Sequence, residues 1–485
     1  MNEVSLDPQR VRRAMIEALS GDYSASSARL ADLYTPQAHV RALRLDAALV
    51  VGGRGTGKTF WTSALHDEEI RNSLGSLNHD LGKTDVQVGH AETADSGAYP
   101  DPMTFTRLLE EGVEAFDVWR TVVHGLVAGP SARLPVDRNE GWAARVDRAR
   151  REPESLSRDI EDAQRRYADV GRHALVVFDA LDRIAINWNT ADDVARDLLR
   201  TALWIRPFRN LHAKVFLRED QYARTIHDFP DASKLRSTEA RLVWGREDLH
   251  GLLWTRLING PGVDGEVLRS LGDSSKIEGE FRQESGVWRV VHRGEKSLRE
   301  LFATLAGTKM GTNERRGNPY TWIISHLADG TGATSPRSLL RALDEAARDS
   351  LERYGDSGFP HPLHYESIKR GVVAASQGRV TELSEDYPWV EPLVQVLEGG
   401  TVPMDESAVV EAFDAGHPEG PVARDRVSTV RSLPPEHVED GWPGIIEDLI
   451  RIGVLTKRTD GRIDMPDLYR LGFKVRRKGG VVPQR

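Results

Sequence analysis

The chain carries one stretch that decides its fold, Gly52-Gly53-Arg54-Gly55-Thr56-Gly57-Lys58-Thr59-Phe60. The stretch fits the pattern Gly-x-x-x-x-Gly-Lys-Ser/Thr, and it lies between an apolar run at residues 47–51 and helical spacing from residue 58 to about 67. Its glycines allow the backbone to curl until several N–H groups converge on phosphate oxygens, and the positive end of the next helix faces the same oxygens. The order strand, glycine loop, helix therefore predicts a phosphate-binding loop (P-loop) in a parallel α/β sheet.

Two side chains of the P-loop have specific expected roles. Lys58 is expected to reach the β and γ phosphates of a nucleotide, and the Thr59 hydroxyl is expected to bind Mg²⁺. The predicted cofactors are therefore ATP and Mg²⁺, bound by residues 52–60. Residues 34–41, just before the first strand, are the region expected to contact adenine. Guanine recognition is not indicated, because the one Lys-x-Asp match, at residues 83–85, lies too early in the chain.

A second apolar run, at residues 173–178, ends in Asp179. Open α/β sheets bind ligands at the carboxyl ends of their strands, so Asp179 is predicted to hold Mg²⁺ together with Thr59. Asp182 follows three residues later. It is interpreted either as the carboxylate that orients or activates the attacking water, or as an aspartate that caps a helix or pairs with Arg183.

Arg218 is a candidate phosphate contact at the end of a third apolar run, residues 213–217. An arginine at a strand's carboxyl end can contact the γ-phosphate and report its loss. The alternative is a surface arginine that is paired with Glu219 or Asp220.

Arg337 is a second candidate, and it follows Ser335 and Pro336. The serine predicts a helix N-cap, and the proline predicts the first helical turn. Arg337 is then either held at a defined point from which it reaches the nucleotide, or it is a solvated arginine of the first turn.

Composition restricts the classes of function. Among 485 residues, 39% are hydrophobic and 29% charged, with no apolar run long enough to span a membrane, so a cytoplasmic globular protein without a membrane partner is expected. The absence of cysteine excludes disulfides, thiolate zinc sites and cysteine nucleophiles. The net charge of −9 argues against indiscriminate nucleic-acid binding, although a local basic cluster stands at residues 474–478.

Changes in pattern divide the chain into five predicted domains. They are an N-terminal helical lead-in (1–44), a P-loop ATPase core (45–245), a helical lid with a β-hairpin insertion (246–355), a helical connector (356–400) and a winged helix with a basic tail (401–485). Within the core, the charged run at residues 145–166 is interpreted as a solvated helix. In the last domain, helices at residues 408–413 and 443–452 precede two strands that flank a turn at Asp460-Gly461.

Taken together, the P-loop, the acids that flank Ala180-Leu181, Arg218 and Ser335-Pro336-Arg337 resemble the STAND group of AAA-related ATPases. That group includes NB-ARC-type switches and origin-recognition-type ATPases, and the resemblance spans roughly residues 30–350. It implies that Arg218 senses the γ-phosphate and that Arg337, or the proline before it, contacts nucleotide from the lid. Typical AAA+ motors place Glu directly after Asp, so the spacing here favours a slow switch over a continuous machine.

Two departures from the STAND pattern concern the C-terminal region. Met465-Pro466-Asp467 lies where NB-ARC proteins carry Met-His-Asp, so ADP retention through a histidine of that motif is not expected. No internal repeat that could form a sensor is visible. The expected partner is therefore a second copy of this chain or a separate sensor or effector protein.

Two functions of different classes follow from these patterns. The first is a regulatory ATPase switch that acts through nucleotide-dependent oligomerisation or partner release, in a setting such as bacterial antiviral defence by analogy. The second is a DNA-binding AAA+-type ATPase that uses its basic winged helix in replication, transposition or restriction. For the tail, the alternative to DNA contact is a flexible terminus or a protein-docking surface.

Overall fold

A computed structural model of the chain describes residues 7–21, 28–181, 184, 188–225, 229–274, 280–291, 294–355, 357–421 and 434–477. The chain forms two compact units. The sheet unit contains residues 25–29 and 35–243, and the helical unit contains residues 1–24, 30–34 and 244–485.

A five-stranded parallel sheet forms the centre of the sheet unit. Its strands are β1 (Leu49–Val51), β2 (Thr84–His90), β3 (His173–Phe178), β4 (Leu211–Leu217) and β5 (Ala240–Arg241), in the order β2-β3-β4-β1-β5. The strands β1, β3 and β4 are buried along most of their length, as expected for a parallel sheet whose two faces are covered by helices. The predicted α/β class and the P-loop strand are confirmed, and the order places the end of β4 between the ends of β1 and β3.

Nine α-helices and three 3₁₀ helices accompany this sheet in the described part of the sheet unit. The α-helices are α2 (Lys58–His66), α3 (Glu68–Ser73), α4 (Pro102–Glu110), α5 (Ala115–Val127), α6 (Trp142–Arg151), α7 (Pro153–Asp169), α8 (Trp188–Ile205), α9 (Glu219–Thr225) and α10 (Ala232–Arg236), and a 3₁₀ helix at Gln37–Leu43 precedes β1. The core between sheet and helices is mainly aliphatic and contains a cluster of aromatic side chains. Trp119 is fully buried and packs its ring 4.8 Å from Phe105 and 5.5 Å from Phe178.

The expectation of one solvated helix over residues 145–166 is wrong. Two helices, α6 and α7, meet at Pro153, which occupies the first turn of α7. Each helix buries one stripe, which includes Val146 in α6 and Ile160 in α7. Apolar residues three or four apart are easily overlooked among so many charges, yet they are sufficient to hold an amphipathic helix on a core.

The helical unit begins with α1 (Pro8–Leu19), whose N-cap Asp7 accepts from the Gln9 N–H. The chain returns to this unit in α11 (Arg246–Ile258), α12 (Gly262–Ser274), α13 (Glu295–Ala306), α14 (Pro319–His326), α15 (Pro336–Tyr354), α16 (Tyr365–Asp386) and α17 (Val390–Val394). A hairpin of β6 (Glu280–Glu284) and β7 (Val287–Val291) separates α12 from α13. Its turn uses the left-handed φ of 80° at Gly286, as the predicted hairpin requires.

The last part of the helical unit has the predicted winged-helix arrangement. It consists of α18 (Glu406–Gly416), α19 (Gly441–Arg451), the antiparallel wing strands β9 (Thr456–Lys457) and β10 (Ile463–Asp464), and the short α20 (Asp467–Arg470). Strands β8 (Thr401–Val402) and β11 (Arg476–Arg477) pair in parallel beside them. No helix among the residues described here has the length and apolarity needed to cross a membrane.

Candidate nucleotide-binding site

The P-loop connects β1 to α2, and its backbone takes the curled form that the sequence predicts. Gly55 and Gly57 have left-handed φ angles of 73° and 101°, which glycine adopts without the steric penalty of a Cβ. A Cβ at Gly52 would lie 2.5 Å from the Thr56 hydroxyl, and that hydroxyl donates to the Gly53 carbonyl at 2.9 Å. Gly52, Gly55 and Gly57 are therefore required by the local geometry of this loop.

Neighbouring strands anchor the loop at its first residue. The Gly52 N–H donates to the Leu217 carbonyl of β4 at 3.1 Å, and the Leu242 N–H donates to the Val51 carbonyl at 2.8 Å. The P-loop thus begins at a point that the sheet fixes on both sides.

Lys58 and Thr59 occupy the first turn of α2, where the positive end of the helix faces the loop. The Lys58 Nζ donates to the Gly52 carbonyl at 3.0 Å and to the Gly53 carbonyl at 2.8 Å. Its charge is therefore held over the loop and stays partly accessible, as does Thr59. A polyphosphate fits this donor set of backbone N–H groups, an ammonium group and a hydroxyl.

Asp179 follows β3 at the carboxyl edge of the sheet and is 4% exposed. The next residue, Ala180, has a left-handed φ of 57°, which costs about 1–2 kcal/mol for a residue with a Cβ. The chain therefore turns sharply just after the carboxylate. A buried carboxylate at this edge is the kind of group that Mg²⁺ requires. Asp182 and Arg183 lie outside the described residues, so both interpretations of Asp182 stay predictions.

Arg218 follows β4, and this strand lies between the P-loop strand and the strand that ends at Asp179. Its side chain is 15% exposed and donates from Nε and from one terminal nitrogen to the two Asp220 oxygens, both at 3.1 Å. The ion pair with Asp220, one of the two pairings expected in the alternative interpretation, is therefore present. The arginine nevertheless lies at the sheet edge rather than on an open surface, so a phosphate contact and this ion pair are compatible.

Arg337 belongs to the helical unit. Ser335 caps α15 by accepting from the Ser338 N–H at 3.1 Å, and Pro336 occupies the first turn, as predicted. The Arg337 guanidinium lies 3.3 Å from a Glu382 oxygen of α16. The side chain is thus held by a partner on the neighbouring helix, and its contact with nucleotide stays a prediction.

The region predicted to contact adenine includes the start of the 3₁₀ helix Gln37–Leu43. His39 in this helix is fully buried and accepts from the Trp61 Nε1–H of α2 at 3.1 Å. Burial lowers the pKa of His39 to about 4, so the imidazole is neutral at physiological pH and can accept this bond. The bond ties the segment before β1 to the helix that carries Lys58.

Two of the four basic residues in the cluster at residues 474–478 are paired with nearby acids. Arg477 lies 2.5 Å from Asp464 and 3.2 Å from Asp467, and Lys474 lies 3.4 Å from Glu398. Arg476 is exposed. Lys478 lies beyond the part of the chain that the structure describes. Two of the charges predicted to face DNA, Arg477 and Lys474, are thus paired with carboxylates, and the contact of this cluster with DNA stays a prediction.

Asp467 of the Met-Pro-Asp segment is part of the same ion-pair group. It is 7% exposed and accepts from the Arg470 Nε at 2.7 Å, and Arg470 itself is fully buried. Its carboxylate therefore stabilises the fold of the helical unit. Sequence reasoning missed this role because the acids and bases involved were counted as net charge rather than as pairs.

Comparison with known proteins gives only remote similarities. No protein-family model and no curated protein matches this chain. Among solved structures, it is similar to the Aeropyrum pernix ORC2 protein in ADPNP-ADP complexes, with 10% identity, a TM-score of 0.41 and coverage of 94% of this chain and 95% of that chain. It is also similar to the Aeropyrum pernix ORC1 protein in complex with DNA, with 14% identity, a TM-score of 0.36 and coverage of 95% and 96%. Similarities this remote assign no function to this chain.

Proposed function

We propose that this chain binds Mg-ATP at the carboxyl edge of its sheet and hydrolyses it as a regulatory switch. One observation carries the proposal: Lys58, Arg218 and Asp179 follow the ends of three adjacent strands, β1, β4 and β3. A cation, a second cation and a buried carboxylate at one edge are the groups that phosphoryl transfer uses.

The proposed roles follow from these positions. The P-loop N–H groups and Lys58 bind the phosphates, and Thr59 and Asp179 hold Mg²⁺, which supplies positive charge to the phosphate oxygens. Arg218 contacts the γ-phosphate and exchanges part of its bonding with Asp220 when that phosphate leaves. Asp182 orients the attacking water, and Arg337 contributes from the lid.

Two features favour a switch over a motor. The acids at 179 and 182 are separated by Ala180-Leu181, and Arg218 and Arg337 each have a carboxylate partner that can compete with nucleotide. A ligand shifts a conformational equilibrium only by the difference between its affinities for the two states. Nucleotide would bind more tightly to a state in which these arginines are released from their carboxylates, so the ion pairs provide such a difference in affinity. The output proposed is self-assembly or release of a partner protein.

The test compares Asp179→Asn with Asp182→Asn in a phosphate-release assay and in size-exclusion chromatography with ATP. Asp179→Asn should reduce Mg²⁺-dependent nucleotide binding as well as turnover. Asp182→Asn should still bind Mg-ATP but hydrolyse it about 10²-fold more slowly, and it should accumulate the ATP-bound assembly. If Asp182→Asn hydrolyses ATP at the wild-type rate, the water-activating group lies elsewhere, with Glu219 the next candidate.

The DNA-binding alternative has less support from the described residues. The exposed Arg476 remains available for phosphate contact, whereas Arg477 and Lys474 are paired with carboxylates. If duplex DNA stimulates ATP hydrolysis and a partner protein does not, this second function is favoured.

A further inference from the structure

Beside the proposed magnesium carboxylate lies a buried histidine that the roles above do not use. His90 ends β2, the edge strand that pairs with β3, and it is 2% exposed. Its carbonyl accepts from the Asp179 N–H at 2.9 Å, and its ring Nδ1 lies 2.7 Å from the Asp179 carbonyl oxygen. Because a carbonyl oxygen can only accept, Nδ1 carries the hydrogen and donates. His90 therefore contacts both backbone polar groups of Asp179.

The sequence around His90 is arranged to make this contact. The β2–β3 register shifts between Val88 and His90, so Gly89 forms a bulge. A Cβ at Gly89 would lie 2.7 Å from Phe178 Cζ and 2.8 Å from Val176 Cγ1. Only a glycine lets β2 approach β3 this closely, and a bulge of one residue turns the next side chain to a new direction.

Aromatic neighbours fix the orientation of the His90 ring. The Tyr99 ring lies 5.3 Å from it at a tilted angle, and the Trp119 ring lies 6.0 Å from it edge-on. Trp119 in turn packs edge-on against Phe178, the last residue of β3. The imidazole is thus held by packing as well as by its hydrogen bond, so its Nδ1 has a defined direction.

The hydrogen bond from His90 Nδ1 is made next to a strained point of the backbone. Asp179 is followed by Ala180 in the left-handed region, a conformation that persists only when the surroundings determine it. We infer that His90 is a positioning residue: its bond to the Asp179 carbonyl holds the strained turn and thereby fixes the direction of the Asp179 carboxylate. This inference rests on the proposed function, in which that carboxylate holds Mg²⁺.

The test uses two substitutions of matched shape. Asn has its Nδ2 two bonds beyond Cβ, as His has Nδ1, so His90→Asn can keep the donor, whereas His90→Leu has the same branched shape without polar atoms. We expect His90→Leu to raise the Mg²⁺ concentration needed for half-maximal binding of a slowly hydrolysed ATP analogue about 10-fold or more, the range typical of outer-shell partners. His90→Asn should stay close to wild type, and metal-free nucleotide affinity should be unchanged in both. Calorimetry over a Mg²⁺ series measures these quantities.

Two results would overturn the inference: equal shifts in the Asn and Leu variants, or no shift in His90→Leu. If His90→Leu does not unfold cooperatively, His90→Ala serves as the second donor-free variant with the same expectation. The Asp179→Asn variant distinguishes failure of the proposed function from failure of the role proposed for His90. If that variant has a normal Mg²⁺ requirement, the proposed function fails at Asp179; if it is impaired and His90→Leu is not, only the role of His90 fails. In the double variant, His90→Leu should add no shift to that of Asp179→Asn.

Discussion

The carboxyl edge of the sheet and the C-terminal wing both gather charged side chains, and they use them in different ways. At the sheet edge, Lys58, Asp179 and Arg218 come from distant parts of the chain and follow strands that end on the same side of the sheet. In the wing, Arg477 and its acids, Asp464 and Asp467, come from one short segment and neutralise each other. A cluster of basic residues in a sequence thus identifies a binding surface only after its nearby acids have been counted.

The largest effect that separates the two regions should come from two lysine substitutions. Lys58→Ala removes a charged donor from the P-loop, and one such hydrogen bond contributes about 1.5–3 kcal/mol, so ATP binding should weaken by about 10- to 100-fold. Lys474→Ala, the matched control in the wing, should leave ATP affinity unchanged. Isothermal titration calorimetry measures both, and unchanged affinity in Lys58→Ala would defeat the P-loop assignment.

Two arginines that are paired with carboxylates, one in each region, should respond differently to substitution. Arg477→Gln removes one partner from both Asp464 and Asp467, and losing one member of a buried ion pair typically costs about 3–5 kcal/mol, an upper limit here because Arg477 is 29% exposed and Asp467 keeps its bond from Arg470. We expect a clear loss of thermal stability and normal ATP binding. Arg218→Gln should instead reduce the preference for ATP over ADP with a smaller change in melting temperature. A loss of ATP preference in Arg477→Gln, together with a large loss of thermal stability in Arg218→Gln, would contradict the roles given to the two regions.

The pH dependence of stability should have opposite signs at two histidines. Burial holds the pKa of His39 near 4, so the unfolded chain binds a proton between pH 6.5 and 4 that the folded sheet unit does not. Stability from His39 is complete above pH 6.5 and is lost as pH falls, by up to about 3 kcal/mol at pH 4. His39→Asn keeps an acceptor for Trp61 without titrating, so the slope of thermal stability below pH 6.5 should flatten.

At His437, the hydrogen bond to Asp448 raises the pKa above 6.5. Its stabilisation is complete below pH 6.5 and is lost as pH rises through the folded-state pKa. His437→Gln should therefore lower the melting temperature at pH 5.5 more than at pH 8.5. An equal loss at both pH values would show that the contact is not an ion pair.

The smallest effect is expected for the exposed charge of the wing. If Lys474 and Arg476 contacted two DNA phosphates, replacing both with Gln would reduce the slope of log affinity against log salt by about 2. Since Lys474 already has Glu398 as a partner, we expect a change of less than about 1 and an affinity change below about 2-fold. Fluorescence anisotropy with a duplex over a salt series measures this. A change of the full size would restore the wing as a DNA contact.

The features that could be predicted from the sequence are those that depend on residues close together in the chain. The P-loop, its flanking strand and helix, the hairpin around Gly286 and the cap at Ser335 each follow from neighbouring residues, and the structure has them all. The strand order was not predictable, because β5 has only two residues and pairs with β1 over a long separation. His90 was missed for the same reason: its importance depends on a bulge that forms only against β3.

The placement of α1 has a consequence for synthesis of the protein on the ribosome. Arg12 is buried and donates to the carbonyls of Tyr354, His361 and Pro362, so its acceptors are made up to 350 residues later. At about 5–20 residues per second, the nascent helix waits roughly 20–70 s for them, while the whole sheet unit is translated. Its apolar face, which includes Val11 and Met15, has no cover from α15 during that time. Truncated chains that stop before residue 354 should therefore be prone to aggregate, and the newly made protein should depend on a chaperone that shields its first helix.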